Sequence, residues 1–411
     1  MKVLFLGSNR FETVRIIAEH IKSKYPDWQI DAVDLVLLRE GMDIEPFNNN
    51  LISTEWTKGE RSTLFHFRFL LRKGKFFGAI KNAIIDRKHG FFNSIKHLSE
   101  SIMFEEKAGQ LFSTYDFFHF HFISRKASNW LNFIPLESKV IASFWGSDAY
   151  RVPDEPTIFA QREILNRSNI ATCHFNQMLE EILMNLGEEY RPKFKTMLFG
   201  MKDWMRDKIL HFDQMKGRDA FFQRYSIPSG KIAIQIAYSK ARIMQHLKVL
   251  KGLAPLSDDA KERFHLVIPL TYGEVHDWNE YRSEIEKEAE KSGISFTCLF
   301  DYMTDDEVLE MESACEIFIN SRTTDALNGT MMEHFTLSHL VISGGWLKYQ
   351  ILKDYGLYMP TFDEFQELPA ILESYLIKRE ELSAKFESNS RIISESFVSS
   401  AWRDHWLSLY D

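Results

Sequence analysis

The chain has 411 residues, room for two or three domains at about 150 residues each, with 45% apolar and 26% charged residues and a formal net charge of −8. This composition excludes a disordered chain, and 19 Gly with 11 Pro exclude a fibrous one. Cys173, Cys298 and Cys315 are scattered, odd in number and without metal-ligand spacing, which argues against a disulfide framework or structural zinc and for a reducing compartment.

Residues 2–7 (KVLFLG) are an apolar run too short for a signal peptide and predict a buried first strand. A loop from Ser8 to Phe11 leads into a helical pattern from Thr13 to Tyr25, and Gln29–Leu35 predicts a second strand. Strand, helix and strand at this spacing open a parallel α/β sheet. The next segment is unlike the rest. Lys58–His97 holds ten Lys and Arg against Glu60 and Asp86, so it carries +8 and leaves −16 for the remainder, and it contains seven Phe. Basic residues mixed with bulky apolar ones on a helix suit an anionic membrane surface, where each cation near the lipid contributes about 1 kcal/mol. A helical pair with Phe inward and Lys/Arg toward water fits the same pattern. Nucleic acid is not expected, because the rest of the chain is acidic and holds no nucleic-acid motif. No stretch approaches the ~18 uninterrupted apolar residues of a membrane span.

Helices continue to about Gly109. Residues 116–123 and 139–145 predict strands around a short helix near Lys126–Phe133, and 169–175 predicts another, leading to a helix at Gln177–Leu186. Arg191–Ser229 has no clear period and reads as a connection. A second α/β series follows, with strands at 231–238, 264–270, 295–300, 316–321 and 339–343. Helices alternate with them at Met244–Leu256, Trp278–Lys291, Thr304–Cys315 and Gly329–Leu337. After Pro369 the pattern is helical to the end, with Trp402 and Trp406 on the last helix. The expected fold class is α/β, two Rossmann-like domains facing a central cleft.

Three strand-end loops suit a phosphorylated ligand. In residues 321–335 (SRTTDALNGTMMEHF), Asn328-Gly329-Thr330 open a helix directly after a strand, so free N–H groups and the helix dipole await an anion. Glu333, one turn in, suits ribose hydroxyls; a capped helix with an incidental Glu fits equally. In residues 237–246 (AYSKARIMQH), Ser239, Lys240 and Arg242 follow a strand. Arg by bidentate hydrogen bonds and Lys as a point charge suit a diphosphate, although solvated surface cations look the same. Tyr272, in the loop after 264–270, offers a ring to stack on a base. In the first half, Gly146-Ser147-Asp148 lies just past a strand, where Asp148 is either a base or a turn former. His121 is either a second base or a core histidine.

Taken together, FWGSDAYR (144–151), AYSKARIMQHLKVLKGL (237–253), VIPLTYG (267–273) and the block Asp301–Ser343 resemble the GT-B glycosyltransferases. Within these the chain most resembles the TDP-N-acetylfucosamine:lipid II N-acetylfucosaminyltransferases of glycosyltransferase family 56, and more distantly family 4. That family's Trp-Gly-Ala-Asp-Leu-Tyr run is matched by Trp145-Gly146-Ser147-Asp148-Ala149-Tyr150, and its Ser…Arg…His element by Ser239, Arg242 and His246. The resemblance implies an acceptor-binding domain over 1–205 with a membrane-facing insertion at 58–97, a donor domain over 206–390, and a terminal helix, 391–411, crossing back to the first domain. It implies that Ser239, Lys240 and Arg242 hold a donor diphosphate, with Tyr272 bordering the nucleotide. Asn328, Gly329 and Thr330 add phosphate contacts, and Glu333 takes the ribose as the second Glu of a Glu-x7-Glu motif. The first acidic position is Asp325, eight residues before Glu333, which leaves its contact with the sugar open.

The implied activity moves a sugar, a hexose or N-acetylaminosugar, from a nucleotide donor to a lipid-linked or surface-glycan acceptor. The implied place is cytoplasmic, peripheral at the inner face of the cytoplasmic membrane. Departing diphosphate charge must be stabilised. The chain has no Asp-x-Asp, so Arg242, Lys240 and the helix N-terminus are expected to do this without a metal or other cofactor. The candidate bases for the acceptor hydroxyl are Asp148, Glu12 and His121. A sugar-nucleotide epimerase shares the architecture but needs no basic lipid-facing segment, and a catalytically inactive membrane-associated relative is the third reading. A dehydrogenase is disfavoured because no Gly-x-Gly-x-x-Gly follows a strand.

Overall fold

Strands buried on both faces read as unbroken apolar runs, and those runs become two parallel sheets in the computed structural model. It describes residues 1–7, 11–34, 44–51, 70, 91–125, 127–150, 154–273 and 275–411. The basic, Phe-rich segment 58–97 lies almost wholly outside them. Among the described residues no helix is long and apolar enough to cross a membrane.

The first compact unit comprises 1–174, 179–197 and 405–411. Its strands are β1 (Lys2–Gly7), β2 (Gln29–Val33), β3 (Asn49–Leu51), β4 (Phe117–His121), β5 (Lys139–Ser143), β6 (Ile170–Cys173) and β7 (Phe194–Thr196). They lie in the order β3-β2-β1-β4-β5-β6-β7, all parallel. The chain winds outward from β1 to β3, then crosses to β4 on the other side of β1. The order therefore reverses between β1 and β4, and ligands of open α/β sheets bind at the carboxyl ends beside such a reversal. There Gly7 pairs with His121. Gly7 has φ +97°, and a Cβ on it would lie 2.2 Å from the His121 carbonyl oxygen, so only glycine fits.

The chain's last residues complete this unit. Tyr410 Oη lies 2.5 Å from His119 Nδ1, Lys24 Nζ lies 2.7 Å from the Asp411 carboxylate, and the Trp406 and Trp145 rings stack at 6.4 Å.

The second unit comprises 175–178 and 198–404. Its strands are β8 (Ile232–Ile236), β9 (Phe264–Pro269), β10 (Ser295–Leu299), β11 (Ile317–Asn320), β12 (Leu340–Gly344) and β13 (Thr361–Phe362). Their order is β10-β9-β8-β11-β12-β13, again all parallel, with the reversal between β8 and β11. Ile234, Ile236, Leu266, Ile319 and Ile342 of the sheet pack in one core with Val249, Leu250, Ile285 and Leu372 of the helices. Local signals start the helices. Thr304 and Glu307 form a capping box for Asp305–Ala314, and the Asn328 side chain accepts from Met331 N to cap Gly329–Thr336.

One expectation is corrected. Residues 191–229 are not a plain connection: they supply β7 and the helices Asp203–His211 and Gln214–Arg224. The compact units divide at 197/198 and again before 405. Within the second unit Met201 bridges to Val398, the Asp203 carboxylate takes hydrogen bonds from Ser399 and Ser400, and the 29-residue helix Leu368–Ser396 packs with it.

Candidate nucleotide-sugar site

Each strand of the second unit's sheet ends in a loop, and the loops after β8, β9 and β11 are hydrogen-bonded to one another. Lys240 N donates to Tyr272 O at 3.0 Å, and Thr323 N to Ile243 O at 3.0 Å. The Gln245 amide donates to Ser321 O at 2.6 Å. Backbone strain gathers here: Ala237, Gln245 and Leu327 all adopt positive φ, between 57° and 62°. Such residues cost on the order of 1–3 kcal/mol each and persist only where their surroundings hold them. Gly273, with φ +103°, turns the loop that carries Tyr272.

This stitching brings the sequence-predicted residues of the second unit to one carboxyl edge, beside the β8/β11 reversal. Ser239 is buried. Lys240 places its ammonium 5.1 Å from the centre of the Trp278 ring. Arg242 is exposed, stacks on Tyr281 at 4.1 Å and is ion-paired with Asp277. Its orientation begins one layer down, where buried His246 Nδ1 lies 3.0 Å from Tyr281 Oη. The Ser239, Arg242, His246 spacing thus becomes a histidine that fixes a tyrosine on which the arginine lies. Burial pushes the His246 pKa down to about 4, so this imidazole is neutral.

Asp325, whose contact with the sugar the sequence leaves open, is engaged within its own loop. Its carboxylate, nearly fully buried, is already shared: Arg322 Nη1 donates at 2.7 Å to one oxygen, and Tyr349 Oη at 2.5 Å and Asn328 Nδ2 at 2.7 Å donate to the other. It anchors the loop, with both oxygens already accepting from protein donors. Arg322, in turn, donates to Tyr238 Oη, whose ring lies 6.4 Å from that of Tyr272. Gly329 is exposed and Thr330 half-buried at the start of the capped helix. Glu333 is half-buried one turn into that helix.

Arg322, Tyr238 and Tyr349 were not singled out from sequence. Arg322 and Asp325 are three apart in an aperiodic loop, so no pattern marks them as a pair.

The carboxyl edge of the first unit has a different character. Asp148 accepts from Ile123 N at 2.7 Å and from Trp145 N at 2.6 Å. Burial outweighs these donors and raises its pKa to about 7. His121 is fully buried against Phe5, His119 and Trp145. Neither of its ring nitrogens has a hydrogen-bond partner among the described residues, so it is a core histidine but not a satisfied one. Desolvation lowers its pKa to about 3. The Glu12 side chain lies outside the described residues. Among the described residues no group of three or more His, Cys, Asp or Glu gathers as metal ligands.

No family model matches the chain, and no curated protein does. Among solved structures it is similar to a glycosyltransferase from Rickettsia africae, at 13% identity and TM-score 0.66 over 100% of this chain and 97% of that one. It is similar to Anabaena HepE in complex with UDP and glucose, at 11% identity and TM-score 0.67 over 100% and 99%. Sucrose-phosphate synthase from Thermosynechococcus elongatus gives 10% identity and TM-score 0.67 over 100% and 98%. At these identities the likeness is one of fold, and that fold is the GT-B fold of nucleotide-sugar glycosyltransferases.

Proposed function

We propose that this chain transfers a sugar from a nucleoside-diphosphate donor to a lipid-linked or surface-glycan acceptor at the inner face of the cytoplasmic membrane, without a metal ion. The observation that carries the reading is the stitched carboxyl edge of the second unit. There Ser239, Lys240, Arg242, Tyr272, Asn328, Thr330 and Glu333 share one set of interlocked loops on a fold that nucleotide-sugar enzymes also use. Arg242 and Lys240 bind the diphosphate, with Ser239 and the N-terminal N–H groups of Gly329–Thr336 adding neutral donors. Tyr272 covers the base, and Glu333 accepts from the ribose. As the bond to the anomeric carbon breaks, the same cations and dipoles stabilise the charge growing on the leaving oxygen. Asp148, its pKa raised to about 7, suits the removal of the acceptor hydroxyl proton near neutral pH, with Glu12 as the other candidate; His121, buried and with its pKa lowered to about 3, is set aside.

The test is turnover of UDP-, dTDP- and GDP-sugars in EDTA, with release of the nucleoside diphosphate as readout. One donor class should turn over, and Arg242→Ala should abolish it. Binding without any turnover would favour an inactive relative, a reading to which the sequestered Asp325 lends weight. Turnover only after magnesium is restored would remove the metal-free part. For the membrane part, replacing four basic residues within 58–97 should release the chain from anionic vesicles, and unchanged co-sedimentation would contradict it.

A further inference from the structure

The helix Trp278–Ser292 begins without the cap its sequence offers. Asp277 stands at the N-cap, where an aspartate usually accepts a hydrogen bond from the helix's first free N–H groups, yet its side chain makes no capping bond. The carboxylate is turned instead to Arg242, in the loop after β8. Arg242 Nε donates to Oδ1 at 3.3 Å, and Nη2 donates to Oδ2. Four residues on, Tyr281 N donates to Asp277 O at 3.0 Å, so both side chains lie on one face of the first turn. From that face the Tyr281 ring meets the same guanidinium at 4.1 Å. A carboxylate on one edge and a ring on one face leave the Nη1 side, which has no hydrogen-bond partner among the described residues. Trp278, on the same turn, meets the Lys240 ammonium at 5.1 Å, so one helical turn touches both cations of the proposed donor site. The side chains of Arg242 and Asp277 are 47% and 43% exposed, and a pair so placed adds little to stability. What it does restrict is the freedom of a long side chain.

We propose that Asp277 is a positioning residue for the nucleotide site: it holds the Nε edge of Arg242 while Tyr281 supports the face, so that the remaining edge meets the donor diphosphate already ordered. This rests on the proposed donor site and adds to it the device that orders its arginine. A guanidinium fixed before the ligand arrives loses less rotamer freedom on binding. Charge alone predicts the opposite. Asp277 lowers the positive potential around Arg242, so its neutralisation would tighten the binding of an anion. Between exposed groups that Coulomb effect is weak and screened by salt. The geometry favours ordering, because the carboxylate engages only Nε and Nη2 and leaves Nη1 for a second, incoming anion.

The experiment is calorimetric titration of the full chain with UDP and with dTDP, on wild type, Asp277→Ala and Asp277→Glu, each checked for an unchanged melting transition. Asp277→Ala should bind about three- to tenfold more weakly, the cost of ordering one long side chain on binding. Asp277→Glu keeps a carboxylate and should recover most of that loss. The same titrations on an Arg242→Lys chain separate the device from its surroundings. A lysine is a point charge with no planar fork to be held by its edge, so there Asp277→Ala should cause no further loss. Unchanged or tighter binding by Asp277→Ala, or an equal loss in the Arg242→Lys chain, would overturn the inference. If neither nucleotide binds wild type, the donor-site reading itself fails and takes this inference with it.

Discussion

The two sheets are built on one plan, parallel strands whose order reverses beside the first strand of the unit, yet their carboxyl edges differ in how they hold polar groups. In the second unit the edge is charged and locked. Arg322, Asp325, Tyr238 and Tyr349 form a partly to fully buried network, and exposed Arg242 is oriented from below by Tyr281 and His246. Among the described residues of the first unit, His119 and His121 are held neutral by burial, and burial raises the Asp148 carboxyl to about 7. A locked cationic edge suits a ligand that arrives with its own negative charge. A buried carboxyl group raised toward neutrality suits a hydroxyl compound whose proton must be taken.

The largest effect that would break this contrast is at the lock. Asp325→Ala leaves the Arg322 guanidinium buried without its carboxylate, and removing one partner of a buried pair costs about 3–5 kcal/mol. Denaturant unfolding should show a loss of that size together with loss of nucleotide binding; a small loss would mean that the loops hold without the pair. Next is Asp148→Asn. One amide oxygen cannot replace two carboxylate oxygens accepting from Ile123 N and Trp145 N, and a buried donor left unsatisfied costs about 1–3 kcal/mol. Unfolding of the first unit should shift by that amount.

Arg242→Ala should leave the melting transition in place, because its ion pair with Asp277 is exposed, while nucleotide affinity falls at least tenfold, about the loss expected for one bidentate charged contact. A fall in stability without a fall in affinity would place Arg242 in the scaffold instead.

The effect smallest at neutral pH, and growing toward acid pH, is a pH limb. His121 titrates near 6.5 when unfolded and near 3 when folded. Below about 6.5 the unfolded chain therefore binds a proton that the folded chain refuses, and stability declines as the pH falls toward about 3. Above 6.5 His121 contributes no slope. His121→Phe should flatten part of that acid limb in denaturant melts at stepped pH, and an unchanged limb would show that this imidazole is charged in the fold.

Much of the fold was legible because both-face burial leaves unbroken apolar runs: KVLFLG and IAIQI each mark a strand to within a residue or two. The short helices Asp203–His211 and Gln214–Arg224 were not, because the Lys, Arg, Met and Phe between 191 and 229 blur any period. The donor-edge cations were legible because strand-end loops announce themselves by a change from apolar to polar. What stayed hidden is cooperative. Tyr349 meets Asp325 from another loop, so the pair has no spacing to read. Asp325 shows the same limit: its partners Arg322, Tyr349 and Asn328, not its spacing from Glu333, set how its oxygens are engaged.

The most direct test of the account is stability of the intact chain in EDTA with UDP, dTDP, GDP and CMP, followed by thermal unfolding. One nucleoside diphosphate at 100 times its dissociation constant should add about 2.7 kcal/mol, and the Arg242→Ala chain should not respond. If all four leave the transition where it was, the carboxyl edge of the second unit is not a nucleotide site.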